Sequence, residues 1–203
     1  MVKAIVFDIG GVLIGLNLGR CIHAFQEILG FYRITELLDP YHQKGIYGDM
    51  EAGILSADDF RSQVLKDSRP GCKPSDVDRC MGALLCPMTE DTVNTVKELG
   101  TRYPLYLLSN NNPIAMALIN EEFRRNGINP ESFFTDQFIS SEMKLLKPSR
   151  EIYDEAVRRI GLPAGEILFI DDNETNVQAA REAGLQARLY VPGSKLSTLL
   201  SDC

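Results

Sequence analysis

Two histidines and five cysteines are all the imidazoles and thiols of this 203-residue chain. Cys21, Cys72, Cys80, Cys86 and Cys203 are odd in number and no two stand at C-x-x-C spacing, which argues against a zinc site. They read as free thiols of a reducing cytosol. Positive charge is also short: 21 Lys+Arg against 28 Asp+Glu give a net charge of -7, with no basic run. Nucleic acid and anionic membrane surfaces are therefore poor partners. No apolar stretch reaches the roughly 18 residues of a membrane helix. Asp8 interrupts the apolar residues that follow Lys3 before any signal-peptide cleavage site. There is no internal repeat and no low-complexity segment. Gly10-Gly11 with Gly15 does not make the G-x-G-x-x-G of a dinucleotide site. The expected setting is cytoplasmic, with no specific protein partner implied.

What is present is a series of short apolar runs, each ending in a polar residue. Val2 to Phe7 ends at Asp8 and breaks at Gly10-Gly11, as a buried parallel strand followed by a tight loop does. Pro104 to Leu108 ends at Ser109, and Glu166 to Ile170 ends at Asp171. Phe133 to Ile139 and Leu185 to Val191 are further strand candidates. Helical patterns separate them: Thr89 to Leu99, Pro113 to Phe123, Ser149 to Ile160 and Asn173 to Ala183. Strands alternating with helices predict an α/β fold, a Rossmann-like doubly wound parallel sheet. Residues 15–86 hold no convincing strand. They read as four helices, Asn17 to Leu29, Ile34 to Tyr47, Ala57 to Lys66 and Asp76 to Leu85, the last two opened by Ser56-x-x-Asp59 and Ser75-x-x-Asp78 capping boxes. The expected organisation is a core of 1–14 and 87–203 with an all-helical, four-helix-bundle-like cap inserted at 15–86.

Four polar clusters follow these runs or precede helices: Asp8-Ile9-Gly10-Gly11, Ser109-Asn110-Asn111-Asn112, Lys147-Pro148-Ser149 and Asp171-Asp172-Asn173. Each alone reads as a turn or a helix cap. A parallel sheet would gather all four at its carboxyl edge, where such sheets bind ligands. A carboxylate, a hydroxyl, an ammonium and an acidic pair suit phosphoryl transfer through an aspartyl-phosphate on Asp8. Carboxylate and phosphate repel by about 4 kcal/mol at 4 Å and an effective dielectric near 20, so a divalent cation belongs between them. Asp8, Asp171 and Asp172 form a hard-oxygen site suited to Mg²⁺. Ser109, the Asn110 amide and Lys147 would hold the phosphoryl oxygens.

Phe7-Asp8-Ile9-Gly10-Gly11-Val12-Leu13, Leu108-Ser109-Asn110, Lys147-Pro148 with Ile152-Tyr153, and Asp171-Asp172-Asn173 with Asn176 span the chain in one order. In that order they resemble the haloacid dehalogenase superfamily, in its helical-cap branch, nearest to F-D-x-G-x-V sugar-phosphate phosphatases of the α-glucose-1-phosphate phosphatase kind. The resemblance implies a phosphatase acting on a small phosphorylated metabolite. It implies Asp8 as nucleophile and Lys147 beside it as a second catalytic group. It implies Mg²⁺ on the Asp8 carboxylate, the Gly10 carbonyl and Asp172, with Asp171 close by and Asn176 supporting them. Two positions depart from the pattern. Gly10 stands where most of the superfamily's phosphatases carry an acid–base aspartate, help worth about 10²–10⁴-fold. Its absence predicts a bias towards less basic leaving groups, and leaves a non-catalytic phospho-ligand-binding or regulatory protein as the alternative. Lys144 stands where the family often has glycine, and Lys147, next to Pro148, is the better phosphate ligand of the two. A true dehalogenase, a phosphomutase and a receiver domain fit the motifs less well. In the cap, Tyr41, His42, Lys44, Tyr47 and Glu51 form the most polar-aromatic stretch. They read first as faces of a surface helix and second as substrate contacts.

Overall fold

The structure is a computed structural model describing residues 1–38 and 44–203. Strand β1 (Ala4–Phe7) leads through the loop at Gly10-Gly11 into a helical run. That run comprises α1 (Leu18–Ala24) continued by a π-helical turn at Phe25–Leu29, α2 (Ile34–Leu37), α3 (Gly45–Glu51), α4 (Ala57–Lys66) and α5 (Pro74–Gly82). The chain then alternates: α6 (Glu90–Gly100), β2 (Leu105–Ser109), α7 (Pro113–Arg125), α8 (Pro130–Phe133), β3 (Asp136–Ile139), α9 (Ser140–Met143) and α10 (Arg150–Ile160). It closes with β4 (Ile167–Asp171), α11 (Glu174–Glu182), β5 (Gln186–Leu189) and α12 (Leu196–Leu199).

The five strands form one parallel sheet in the order β3-β2-β1-β4-β5. Strands β1, β2 and β4 are buried along their whole length, as expected of strands covered on both faces. Alternate side chains feed opposite layers. Ile5, Phe7, Leu107 and Ile170 pack with α6 and α7 residues such as Val96 and Ile119. Ala4, Val6, Leu108 and Phe169 pack with Ile152, Tyr153 and Val177 of α10 and α11. This is the predicted Rossmann-like fold. The order reverses at β1, between β2 and β4, and there a doubly wound sheet opens a crevice at its carboxyl edge.

The helical run builds a separate apolar cluster. Phe25, Phe31, Tyr47, Met50, Phe60, Val64 and Val77 meet within it, and Ile114 of α7 joins them from the sheet side. Its two connections lie side by side: Asn17 donates to the Leu84 carbonyl at 2.8 Å and Cys86 to the Gly15 carbonyl at 2.8 Å. Arg20 Nε also reaches the Ala83 carbonyl, at 2.6 Å.

Two expectations shift here. Only half of the Ser56–Asp59 box forms: the Asp59 N–H donates to Ser56 Oγ at 3.1 Å, but the Asp59 carboxylate accepts from that hydroxyl at 2.6 Å rather than from the Ser56 N–H. The Ser75–Asp78 box does not form. Pro74 takes the first helical position, and Asp76 accepts from the Lys73 N–H at 2.9 Å instead. Asp78 is left to pair with Arg61 at 2.7 Å. The single helix expected over Ile34 to Tyr47 is broken, α2 ending at Leu37 and α3 starting at Gly45 (φ 53°).

Candidate active site

Asp8 follows β1 immediately, 7% exposed. Its Oδ1 accepts from the Ile9 N–H at 2.7 Å and from Lys147 Nζ at 2.9 Å, which fixes the carboxylate's orientation. Lys147 also reaches Asp171 Oδ2, at 2.6 Å, and lies 5.4 Å from the Phe169 ring centroid. One buried ammonium thus bridges two buried carboxylates, the arrangement that makes burying all three charges tolerable. The Lys147 backbone is clamped by Asn110, whose amide donates to the Lys147 carbonyl at 2.9 Å and accepts from its N–H at 2.8 Å. One N–H and the carbonyl of that amide are therefore committed to Lys147, so the Asn110 side chain seats the lysine as well as bordering the site. The Lys147–Pro148 peptide is cis.

Asp171 ends β4, fully buried. Besides Lys147 it accepts from the Asn173 N–H at 2.8 Å and from Asn176 Nδ2 at 3.1 Å. Tyr153 in turn donates to the Asn176 carbonyl at 3.0 Å. Asp172 lies against the loop after β1. A Cβ at Gly11, where φ is 82°, would overlap its carboxylate, so glycine is required there twice over. Oxygens of Asp8, Asp171 and Asp172 all lie within 4.8 Å of one another. Ser109 ends β2, buried, in register with Ile139 of β3.

Electrostatics follow from this crowding. Burial pushes Asp8 up to about 7; Lys147 pulls it down, while Asp171 and Asp172 push it higher. Burial also raises Asp172, to about 6, with Asp171 adding to the rise. Burial works against a charged Lys147, but its two carboxylate partners overcome that and hold its pKa above the ordinary value.

Above these groups lies a cavity of about 460 Å³. Its floor includes Asp8, Gly10, Ser109, Asn110, Lys147 and Asp172. Its roof is α3 and the turn after it, with Tyr47, Glu51 and Ile54. The sequence-predicted groups are thus gathered at one sheet edge. Lys144 is not among the lining residues: it is exposed at the end of α9 with φ 55°, a left-handed position that explains why glycine is common there. Tyr41 and His42 lie outside the described residues. Tyr47 and Glu51 belong to the cavity wall, which reverses the preference for reading them as a plain surface face. Sequence reasoning missed Ser140, which accepts from the Asn111 N–H at 2.9 Å and donates to the Glu51 carbonyl at 2.6 Å. Nothing in its local sequence marks it, because both partners are distant in the chain.

A parallel sheet of this order, with acidic groups and a lysine at its carboxyl edge beneath inserted helices, defines a haloacid dehalogenase-like hydrolase architecture. The model of the haloacid dehalogenase-like hydrolases matches residues 2–184, and the chain belongs to that family. A D-ribitol-5-phosphate phosphatase of Bacteroides thetaiotaomicron is 30% identical over 187 residues, covering 92% of this chain and 90% of that protein. Among solved structures, a point variant of a family enzyme from the same organism, crystallised with magnesium and inorganic phosphate, superposes with a TM-score of 0.92. The two are 29% identical and the match covers 98% of this chain and 99% of that one. A predicted HAD-like hydrolase of Porphyromonas gingivalis is 32% identical, with a TM-score of 0.89 over 100% of this chain and 97% of its own.

Proposed function

We propose that this chain is a Mg²⁺-dependent phosphatase that hydrolyses a small phosphorylated metabolite, a sugar or polyol phosphate, through an aspartyl-phosphate on Asp8. The observation that carries the reading is the convergence of Asp8, Lys147 and Asp172 on the floor of one cavity, with Asp171 buried behind them against Lys147. A cavity of about 460 Å³ fits a metabolite of that size. The D-ribitol-5-phosphate phosphatase likeness favours a polyol or sugar phosphate.

The donor set fits Mg²⁺. It is all hard oxygen, with three carboxylates against one ammonium within a few ångströms, an excess of negative charge that a hard cation offsets. Asp8, the Gly10 carbonyl and Asp172 would hold the ion, with Asp171 beside them. Bound there, it neutralises charge on the phosphoryl oxygens. The Asp8 carboxylate attacks phosphorus, and the bond to the leaving oxygen breaks. Lys147, the Ser109 hydroxyl and Asn110 hold the phosphoryl oxygens as charge redistributes. Water then cleaves the aspartyl-phosphate and frees inorganic phosphate. Residues 15–86 serve as the cap, closing the site against bulk water while the phosphoenzyme exists.

The test is a Mg²⁺-dependent screen of phosphorylated metabolites, D-ribitol 5-phosphate and glucose 1-phosphate among them, with Asp8→Asn as control. Turnover by the wild type and its loss in Asp8→Asn, with the thermal transition retained, is the expected result. Wild-type rates in Asp8→Asn would refute the nucleophile assignment. Phosphate binding without turnover would favour the non-catalytic alternative.

A further inference from the structure

Gly10 leaves the reaction without the aspartate that would protonate the leaving group. Among the described residues lining the cavity, the carboxyl groups are Asp8, Asp49, Glu51 and Asp172. Asp8 and Asp172 belong to the acidic cluster, and Asp49 is exposed. Glu51 is the carboxyl that remains. We propose that Glu51, held over the sheet edge by α3, is the general acid that protonates the leaving oxygen and then the base that deprotonates the attacking water. The inference deepens the phosphatase reading above and rests on it.

Three observations place Glu51 for this role. It lines one cavity with Asp8, Gly10 and Lys147, and it is close enough to Asp8 and Lys147 to feel both their charges. Its backbone is anchored to the sheet side, because Ser140 Oγ donates to the Glu51 carbonyl at 2.6 Å. Two residues on, Gly53 (φ 68°) lies so close to the Ser141 carbonyl that a Cβ would collide with it. The end of α3 is therefore pinned at one height above the floor. The environment also suits proton transfer. Burial pushes Glu51 up to about 8, the Asp8 charge adds to the rise, and Lys147 opposes it. The phenol of Tyr47, buried on the same wall, lies well above its ordinary range and is the poorer acid.

The proton balance is closed. As Asp8 bonds to phosphorus, the electron pair of the breaking P–O bond stays on the leaving oxygen, which takes the Glu51 proton. The Glu51 carboxylate then takes a proton from the water that attacks the aspartyl-phosphate. Asp8 is freed, phosphate departs and Glu51 is protonated again.

The experiment compares Glu51→Gln with wild type on D-ribitol 5-phosphate and on p-nitrophenyl phosphate, whose leaving group departs without a proton. kcat/KM reports the step in which the leaving group departs. It should fall by about 10²–10⁴-fold on the alkyl ester and far less on the aryl ester. The second step also loses its base, so the aryl ester should give a burst of one equivalent of nitrophenolate. Adding Gly10→Asp to Glu51→Gln should restore alkyl-ester turnover. The nearest atom to a Cβ at position 10 is the Leu16 side-chain terminus, at 3.1 Å. Glu51→Asp, which keeps a proton to give, should retain more alkyl activity than Glu51→Gln. Equal losses on both esters, or no loss on either, would overturn the role of Glu51 while leaving the Asp8 assignment intact. A wild type inert towards both esters would overturn both readings together.

Discussion

Lys147 is the residue on which the floor of the site turns. Its ammonium bridges Asp8 and Asp171 and is almost wholly buried, its side chain 2% exposed. Removing one partner of such a group leaves uncompensated charge in a dry place, a loss of about 3–5 kcal/mol. Lys147→Ala should therefore lose about that much stability in metal-free protein at pH 7, read from denaturant unfolding, and lose turnover as well. The stability loss should shrink at pH 5, where Asp8 of the wild type, raised to about 7, takes up a proton and the Lys147–Asp8 attraction that the variant removes is already gone. A loss that is the same at both pH values would count against the assigned network. Asp8, Ser109, Asp171 and Asp172 were legible as polar residues at the ends of apolar runs, and Lys147 as the polar residue standing before a helix. Glu51 was legible only as one of several polar residues on a helix. Its nearness to Asp8 comes from the docking of α3 on the sheet edge, and chain spacing carries no trace of that.

The three central strands β1, β2 and β4 fall within two residues of the apolar runs that announced them, because strands buried on both faces leave a nearly continuous apolar signal, whereas the partly exposed edge strands β3 and β5 are shorter than their runs, β3 starting three residues after Phe133. The helices beside them were equally plain, with Gly161 and Gly184 just past their ends as stops. The inserted helices were harder. The π-helical turn at Phe25–Leu29, the break between α2 and α3 and the single-turn α9 are set by tertiary packing over spans too short for a period to appear. One of these short pieces matters most: α9 carries Ser140, which ties the Asn111 N–H to the Glu51 carbonyl. Ser140→Ala leaves both backbone groups without that partner, at a cost of about 1–3 kcal/mol. The expected outcome is a lower thermal midpoint and a larger fractional loss of activity on alkyl than on aryl phosphates, since α3 then holds Glu51 less firmly. A variant with wild-type midpoint and selectivity would show that the tether does not matter.

For the molecule as a whole, the acidic pocket makes folding and ion binding oppose each other across pH. Asp8, Asp172 and Glu51 have folded values of about 7, about 6 and about 8. Their unfolded values lie near 4. Between these limits the fold holds protons that the unfolded chain has released, so stability falls as pH rises. Metal-free protein should therefore show a thermal midpoint that declines from pH 5 to pH 8, and Glu51→Gln should flatten the upper part of that decline. Mg²⁺ binds the deprotonated fold and should raise the midpoint more at pH 8 than at pH 5. A midpoint that climbs over this interval without metal would contradict the assigned burial.

The paired crossings at Gly15–Asn17 and Leu84–Cys86 carry one more consequence. Because the helical run leaves the sheet and returns to it at a single doorway, it can be exchanged as a cassette without rerouting any strand. An exchanged roof would leave Asp8, Lys147, Asp171 and Asp172 on the sheet edge untouched, but it would carry Glu51 away with it, so each new roof would have to bring its own proton donor.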